Sequence, residues 1–247
     1  MSPQMSQPSS TNPSSGESYL ASRFSLEGKR GIVTGASSGL GLAIASHLAA
    51  SGAEVIGLSR SGKAKSPNED LPLADIDHRG VDVTDYEALT AFIDECSARG
   101  PIDFLVNNAG ITEKASASEV DDATVHHIHQ VNVEAVYKLC QLCYPHLKAT
   151  KGRIVSISSM AAHLGFNQVV PYCSSKAAVT GMTRGLAVEW AADGILVNSV
   201  APGWFPSEMN KQVMDEERQK LILGRMPLHR YGDPSELAAM VQFLLSP

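Results

Sequence analysis

The sequence predicts an α/β fold in which a doubly wound parallel sheet carries helices on both faces. Short apolar runs rich in Val and Ile alternate with longer amphipathic segments from Phe24 onward, which is the rhythm of strands alternating with helices. A glycine-rich turn over residues 34–41 joins the first apolar run to the first helical pattern. Ligands of such sheets collect at the carboxyl ends of the strands, so we expect the site at that edge.

Six apolar runs are predicted to be strands, and the segments between and after them to be helices. The strands span residues 30–34, 54–59, 79–83, 102–106, 153–158 and 196–200. The helices span residues 39–50, 84–98, 122–149 and 172–192, with a last one from residue 234. Thr84 with Glu87 has the sequence of a capping box, and Asp233, Pro234 and Glu236 form a second helix start. A break near the middle of 122–149 is left open.

Composition restricts the classes of function. The chain has 247 residues, of which 43% are hydrophobic, and its net charge of −6 comes without a basic stripe, which argues against nucleic acid as the main ligand. Its four cysteines lie in apolar patterns, as expected for reduced thiols in a cytoplasmic protein. No apolar run approaches the ~20 residues that span a bilayer. Residues 1–23 are predicted to be a disordered tail before one domain over residues 24–247.

Gly35, Gly39 and Gly41 mark the turn between the first strand and the first helix. Glycine lets the backbone turn tightly and lets a phosphate approach, because no Cβ intervenes. Free N–H groups in the first helical turn then attract the anion. No Lys-Ser or Lys-Thr follows, which argues against a P-loop nucleotide hydrolase. Taken alone, the motif is equally compatible with an ordinary strand–helix turn.

Tyr172 and Lys176 are four residues apart on a predicted helix and therefore share a face. A phenol has an ordinary pKa near ~10 and is a poor acid–base group at neutral pH. A nearby ammonium favours the phenolate and lowers that pKa, so the pair is a physical route to a tyrosine that transfers protons. For an isolated pair, the alternative is a surface Tyr and Lys on an amphipathic helix.

Together these motifs resemble the short-chain dehydrogenase/reductase family. The glycine turn, the Asn-Asn-Ala-Gly run over 107–110 and the Tyr-x3-Lys pair each match a family motif, and Pro202-Gly203 follows the sixth strand as in the family. The resemblance covers Phe24 to the end of the chain and implies a Rossmann-like sheet in the order 3-2-1-4-5-6. The family's usual seventh strand, with its Val-Asp-Gly-Gly ending, has no match before Pro247.

The resemblance implies an enzyme that interconverts secondary alcohols and ketones by hydride transfer. The catalytic residues that it implies are Asn132, Ser159, Tyr172 and Lys176. Ser159, thirteen residues before Tyr172, would hydrogen-bond the substrate oxygen, and Tyr172 would pass the proton. Lys176 would lower the tyrosine pKa and hold the ribose, and Asn132 would support a water chain. Ser158 is the rival for the serine role, although a continuing strand would point it to the opposite side.

NADP(H) is the expected cofactor in preference to NAD(H). The second strand ends in Ser59-Arg60 with no acid, and an arginine suits a 2′-phosphate in charge and fork geometry. Asp82 and Val83 resemble the pair that contacts adenine, the alternative being a strand-end and helix-cap role. The predicted cofactor-binding residues are Gly35, Ser37, Ser38, Gly39, Leu40, Gly41, Ser59, Arg60, Asp82, Val83, Asn108, Ala109, Gly110, Tyr172, Lys176, Pro202, Gly203 and Ser207.

The substrate wall is expected from residues 160–171 and 204–224, the second of which has the charged helical pattern of a lid. The first segment would contribute His163, Leu164, Phe166, Val169 and Val170. The resemblance is to gluconate 5-dehydrogenases and to 3-oxoacyl reductases, which leaves sugar acids or polyols and 3-oxoacyl compounds both open. A dinucleotide-sensing module without catalysis is the alternative function.

The expected partners are a small carbonyl or alcohol substrate and a second copy of the chain, with no nucleic acid and no membrane. The long helices over 122–149 and 172–192 can pair across a two-fold axis. A tetramer is in doubt because the family builds it from the region of the seventh strand. Cys140 and Cys143 are interpreted as core residues. His126 and His129 would share a helix face, but no metal site is expected, because a zinc ion would need further ligands.

Overall fold

A single parallel sheet organises the chain. The computed structural model describes residues 19–65, 75–206 and 216–247. Its six strands lie in the order β3-β2-β1-β4-β5-β6, and every pair is parallel. The strands are β1 Arg30–Thr34, β2 Glu54–Ser59, β3 Ile76–Gly80, β4 Phe104–Asn107, β5 Arg153–Ile157 and β6 Leu196–Val200. This confirms the predicted fold class and places the reversal of strand order between β1 and β4.

Helices cover both faces of this sheet. They are α1 Tyr19–Phe24, α2 Gly39–Ala50, α3 Tyr86–Arg99, α4 Asp122–His129, α5 Ala135–Thr150, α6 Val170–Trp190, α7 Glu216–Arg225 and α8 Pro234–Leu245. Consecutive strand residues alternate between the faces. Ile32 lies in the core shared with α3, α5 and α6, whereas Val33 lies in the core shared with α2 and α8. No helix in the described part of the chain is long and apolar enough to cross a membrane.

The third strand differs from its predicted position. It spans Ile76–Gly80 and pairs with β2 from Val55 onward, whereas the sequence predicts residues 79–83. The strand lies at an edge of the sheet and is mostly half-buried, so its Asp, His and Arg are tolerated there and give no apolar pattern. The fourth strand shows a smaller shift, to Phe104–Asn107.

The capping box predicted at Thr84 and Glu87 is wrong. The helix begins one residue later, and Asp85 caps it by accepting a hydrogen bond from the Ala88 N–H at 3.0 Å. The Thr84 hydroxyl instead donates to the Asp82 carboxylate at 2.8 Å. The capping box predicted at Asp233 and Glu236 is confirmed, with Pro234 at the first helical position.

The long helix predicted over 122–149 consists of three parts. The α4 and α5 helices are joined by a π-helical turn, Gln130–Glu134, a rare form that often occurs at functional sites. The predicted disordered tail is wrong at its end, because α1 includes residues 19–23. The Phe24 carbonyl accepts a hydrogen bond from Gln242 at 2.9 Å, and its ring lies 6.0 Å from that of Phe243, which fixes this end of the tail against α8.

Candidate active site

A cleft of about 350 Å³ runs along the carboxyl ends of the strands. It crosses the point between β1 and β4 where the strand order reverses, which is where doubly wound sheets bind their ligands. Nearly all of the predicted site residues line it: Gly35, Ser37, Ser38, Gly39, Leu40, Gly41, Ser59, Arg60, Asp82, Val83, Asn108, Ala109, Gly110, Ser159, Tyr172, Lys176, Pro202 and Gly203. Asn132 lies behind this lining, and Ser207 falls outside the described residues.

At Gly35 and Gly41 the glycine turn leaves no room for a side chain. Gly35 has a φ of +69°, and a Cβ there would lie 2.8 Å from the Asn108 amide nitrogen. A Cβ on Gly41 would collide with the Gly35 carbonyl oxygen and the same amide. Ser38 precedes α2 without forming a side-chain cap, so its hydroxyl does not occupy the orphan N–H groups at the helix start. The turn has the form that holds a phosphate at a helix N-terminus.

Thr34 connects this turn to the Asn-Asn-Ala-Gly segment. Its hydroxyl oxygen accepts hydrogen bonds from the N–H groups of Asn108 at 3.0 Å and Ala109 at 2.9 Å. In return, the Asn108 amide donates to the Thr34 carbonyl at 3.0 Å. Thr34 is 1% exposed, so these bonds are shielded from water. The two segments that follow β1 and β4 therefore form one unit.

Asn132 sits within the π-helical turn and is fully buried. Its carbonyl oxygen accepts from the Ile111 N–H at 2.8 Å, and its amide donates to the Ile111 carbonyl at 2.9 Å and to the Ser175 hydroxyl at 3.0 Å. These contacts fix the chain just after Gly110 against α6. The side chain is thus engaged with protein groups, and its role in a water chain stays a prediction.

Ser159, Tyr172 and Lys176 converge at the β5 end of the cleft. Ser159 lies close enough to Tyr172 to lower the pKa of the phenol, and its hydroxyl oxygen accepts a hydrogen bond from the Ala161 N–H at 3.1 Å. The Lys176 ammonium lies 5.7 Å from the centre of the tyrosine ring. Lys176 also donates to the Ile157 carbonyl at 2.8 Å. Ser158, the rival serine, instead contacts the Lys176 carbonyl at 3.0 Å and the Thr180 hydroxyl at 2.9 Å. Ser159 is therefore the serine in contact with the phenol.

Burial raises the pKa of Tyr172, and the nearby Ser159 side chain opposes that rise only in part. A phenol made acidic by Lys176 therefore stays a prediction. Burial also lowers the pKa of Lys176 to about 8. A charged group is disfavoured in both cases because water is excluded.

Positive charge gathers at the opposite end of the cleft, beyond β2. Arg60 and Lys65 both line it, and the Lys65 N–H donates to the Ser37 carbonyl at 2.8 Å, which folds this basic loop over the glycine turn. Asp82 accepts hydrogen bonds from the Thr84 N–H and hydroxyl, and these bonds, aided by Arg60 and His127, hold its pKa below the usual range. Asp82 is therefore a turn residue before α3 that also faces the cleft.

Sequence reasoning missed several of the lining residues. The ones it did not assign to the site include Lys65, Val81, Ile111, Thr112, His127 and Val131. The basic run after Arg60 is a signal that could have identified Lys65. His127 carries no such signal, because it lies on α4, which reaches the cleft only through the tertiary fold. The Thr112 hydroxyl is buried without a hydrogen-bond partner in the described structure.

The substrate wall is narrower than predicted. Phe166 and Val169 line the cleft, but His163, Leu164 and Val170 do not, and all three are exposed. The short 3₁₀ turn Met160–Ala162 directs the following residues outward, because the His163 and Leu164 N–H groups both donate back to the Met160 carbonyl. Of the predicted lid, the structure describes Trp204, Phe205, Pro206 and helix α7.

Cys140, Cys143, His126 and His129 do not line the cleft. Cys140 and Cys143 are buried in the main core, and burial raises the pKa of Cys140 to about 12. His129 hydrogen-bonds the Ser174 hydroxyl at 2.9 Å. Among residues 19–65, 75–206 and 216–247, no three His, Cys, Asp or Glu side chains are grouped to hold a metal ion.

A doubly wound sheet with a glycine-lined cleft at its reversal point defines a dinucleotide-binding fold. The chain belongs to the short chain dehydrogenase family, whose model matches residues 29–218. It is 37% identical over 235 residues to the 2-dehydro-3-deoxy-D-gluconate 5-dehydrogenase of Bacillus subtilis strain 168, covering 92% of this chain and 91% of that protein.

Two further similarities have the same extent. The 3-oxoacyl-[acyl-carrier-protein] reductase of Vibrio cholerae serotype O1 is 36% identical over 226 residues, covering 91% of this chain and 92% of that protein. The crystal structure of a gluconate 5-dehydrogenase from Burkholderia cenocepacia J2315, in complex with NADP and tartrate, superposes with a TM-score of 0.84 at 34% identity and covers 92% of each chain. Similar chains thus bear the names of sugar-acid and acyl-carrier enzymes.

Proposed function

We propose that this protein is an NADP(H)-dependent oxidoreductase that interconverts a secondary alcohol and a ketone, with Tyr172 as the general acid and base. One observation carries the proposal. Ser159, Tyr172 and Lys176 line the same cleft as the glycine turn, with the Lys176 ammonium 5.7 Å from the centre of the Tyr172 ring. A proton donor and a dinucleotide cradle are thereby adjacent, which is the arrangement that carbonyl reduction requires.

The residues of the glycine turn fit a dinucleotide. Gly35 and Gly41 remove the Cβ atoms that would fill the cradle, and the helix start of α2 offers N–H groups to a pyrophosphate. Arg60 and Lys65 would hold a 2′-phosphate, and this charge, together with the NADP bound in the Burkholderia structure, supports NADP(H). When bound, the nicotinamide supplies or accepts the hydride.

Side chains of this protein would bind the substrate oxygen and transfer its proton. Ser159 would donate a hydrogen bond to the substrate oxygen, so that charge developing there is stabilised. Tyr172 would donate its proton to that oxygen in reduction and accept one in oxidation. The Lys176 ammonium, 5.7 Å from the centre of the Tyr172 ring, would favour the phenolate when it is charged. It would also hold the nicotinamide ribose. Asn132 holds Ile111 in place and thus positions the floor of the site.

Replacing Tyr172 by Phe tests this chemistry. We expect Y172F to lose on the order of 10²-fold to 10⁴-fold in kcat for NADPH-dependent ketone reduction, because the proton donor is gone. NADPH binding, measured by nucleotide fluorescence, is expected to persist. Tyr86→Phe is the matched control, since it removes a phenol hydroxyl that hydrogen-bonds Glu134 at 3.3 Å and does not line the cleft. Undiminished turnover in Y172F would refute the proposal, and tight NADPH binding without turnover by the natural protein on any carbonyl compound would favour a dinucleotide sensor.

A further inference from the structure

We propose that the substrate carries an uncharged, mainly apolar group beside its carbonyl, and that keto-sugar acids are poor substrates. This inference rests on the proposed function and narrows its substrate class. The observations behind it are the aromatic lining at the β5 end of the cleft and the position of the positive charges. A sugar acid needs hydrogen-bonding groups for its hydroxyls and a cation for its carboxylate, and this end of the cleft offers few of either among the described residues.

Apolar side chains line the end of the cleft that holds Ser159 and Tyr172. They are Met160, Ala161, Phe166, Val169, Trp204 and Phe205. The Phe166 and Trp204 rings meet edge to face, with centres 5.7 Å apart and planes at 90°, a favoured aromatic arrangement. Two rings fixed by each other present a stiff apolar surface beside the phenol. A flat alicyclic or aromatic group gains most by covering such a surface.

Few hydrogen-bonding groups remain for a polyhydroxylated molecule. Ser159 and Tyr172 are committed to the reacting oxygen. The Lys176 ammonium and the Ser158 hydroxyl also line this end, but both are hydrogen-bonded to the protein. The Trp204 indole N–H lines it as well, and the Thr112 hydroxyl is buried without a partner in the described structure. A keto-sugar acid has a hydroxyl on nearly every carbon, and each one would lose its water contacts without replacement. The single Thr112 hydroxyl suits a substrate with one further polar atom.

The positive charges lie too far away to hold a carboxylate. Arg60 and Lys65 follow β2, whereas Ser159 follows β5, and three strand spacings separate them, roughly 14 Å. Lys176 is 5% exposed and donates to the Ile157 carbonyl, so it faces the floor of the site. His127 lies near Asp82 and, with Ile111 and Thr112, lines a second, shallower pocket next to the cleft. A carboxylate at the aromatic end would thus lack a cation among the described lining residues, which is costly in an apolar setting.

The link between the two walls supports one continuous surface. The Ala115 N–H donates to the Gln168 carbonyl at 3.0 Å, which ties the segment that carries Thr112 to the segment that carries Phe166 and Val169. The two sides of this end are therefore held at a fixed separation. Such a preformed apolar site selects by shape and by the absence of charge.

The test compares two ketones with the full-length protein and NADPH. We expect kcat/KM for 2-tetralone, an uncharged bicyclic ketone, to exceed kcat/KM for 5-keto-D-gluconate at least about tenfold. Trp204→Ala is expected to lower the value for 2-tetralone about tenfold and to leave that for the sugar acid unchanged. Phe166→Leu serves as a milder second variant that keeps most of the packing. Phe243→Ala, an exposed aromatic on α8, is the control and should change neither value.

Three outcomes would count against these proposals, and they can be distinguished. A kcat/KM for 5-keto-D-gluconate equal to or above that for 2-tetralone would overturn the inference while leaving the oxidoreductase proposal intact. Binding of NADPH, seen by fluorescence, without turnover of either ketone or of a wider carbonyl panel would overturn the proposed function, and the inference would fall with it. Insensitivity of the 2-tetralone value to both Trp204→Ala and Phe166→Leu would show that the aromatic wall does not contact the substrate.

Discussion

At the scale of single residues, burial acts on the protonation of Tyr172 and Lys176, the proposed proton donor and its neighbour. The Tyr172 phenol has a raised pKa and the buried Lys176 ammonium a pKa of about 8, because water is excluded from both. Near neutral pH the phenol is therefore protonated, and the structure is in the form that donates a proton to a ketone. The reverse reaction needs the minor, deprotonated form.

We expect this asymmetry in the pH dependence of the two directions. Because the Tyr172 pKa is raised, the phenolate fraction at neutral pH is small, and it grows about tenfold per pH unit below the pKa. Alcohol oxidation should therefore rise from pH 7 to pH 9, whereas ketone reduction stays nearly flat. Initial rates in both directions check this, with Tyr172→Phe giving the background. An oxidation rate that is already constant at pH 7 would mean that the phenol pKa is lowered in the complex.

The lysine predicts a pH dependence of stability. Its folded pKa of about 8 lies below the ordinary 10.5, so the unfolded chain binds more protons between these values and the stability rises with pH there. The full gap corresponds to roughly 3 kcal/mol. Relative to Lys176→Met, the natural protein should gain free energy of unfolding between pH 7 and pH 10, measured by urea denaturation. Lys148→Met is the control, because an ion pair with Asp193 raises the pKa of that lysine. A free-energy gap independent of pH would contradict the buried charge.

Arg60 and Lys65 predict the cofactor preference. We expect R60A and K65A each to weaken NADPH about tenfold, the loss of one charge-assisted hydrogen bond, and to leave NADH unaffected, since NADH lacks the 2′-phosphate. Lys63→Ala is the matched control, because Lys63 belongs to the same loop but does not line the cleft. Equal losses for NADPH and NADH, measured as KM, would remove the two residues from this role.

At the scale of secondary-structure elements, helix starts and breaks place the site residues. The π-helical turn Gln130–Glu134 brings Asn132 against Ile111, and the 3₁₀ turn after Ser159 directs Met160 and Ala161 into the cleft while His163 faces outward. Asp85 sets where α3 begins, and the turn before it presents Asp82 to the cleft. Each of these local features positions residues that line or support the cleft.

The start of α3 gives a prediction about stability. Asp85→Ala should cost about 1 kcal/mol, because the Ala88 N–H loses its cap. Glu87→Ala should change stability little, since Glu87 takes no part in a capping box here. Urea denaturation of both variants measures the difference. A larger loss in Glu87→Ala than in Asp85→Ala would restore the capping box predicted from the sequence.

Strong apolar periodicity and helix chemistry made much of this fold predictable. Strands β1 and β2 and helix α2 have the predicted bounds, because they are largely buried and leave a clear apolar pattern. Strand β6 lies at an edge but also has the predicted bounds, because Leu196, Val197 and Val200 still form an apolar run. Strand β3 was misplaced, since an edge strand needs no apolar run. At Thr84 two candidate caps lie side by side, and only the fold shows that Thr84 bonds Asp82 instead.

The site was predictable where short motifs carry it and unpredictable where tertiary packing does. Sequence spacing brought Ser159, Tyr172 and Lys176 together because they follow one strand and share one helix. It could not anticipate Thr112 or His127, whose positions depend on how separate segments meet. Nor could it anticipate the burial of Tyr172 and Lys176, since burial is a property of the whole fold.

At the scale of the whole molecule, the described residues form one sheet with two cores, and we infer that residues 24–247 fold as one domain. The outer helices still expose apolar side chains. Tyr137 on α5 is 46% exposed and Val188 on α6 is 82% exposed, on the two helices expected to pair across a two-fold axis. Association would remove this apolar surface from water.

We therefore expect at least a dimer in solution. Sedimentation equilibrium at micromolar concentration should give a mass of at least twice 26.3 kDa. Val188→Arg should shift the distribution toward the monomer, because a charge would be buried in the interface. Met240→Arg on α8, at a side chain that is 50% exposed, is the matched control and should leave the mass unchanged. A monomeric mass for the natural protein would contradict the expected pairing.

The buried Thr34 hydroxyl has a consequence for how the protein receives its nucleotide. The Thr34 hydroxyl oxygen connects the segments that follow β1 and β4. The surfaces expected to contact the two halves of the dinucleotide are therefore in place before the dinucleotide binds. Binding then costs little conformational entropy, because these segments do not have to be ordered by the nucleotide. Thr34→Val would keep the shape of the side chain and remove these two hydrogen bonds. The segments would then have to rearrange after the nucleotide first binds, and stopped-flow fluorescence should show slower binding in two phases.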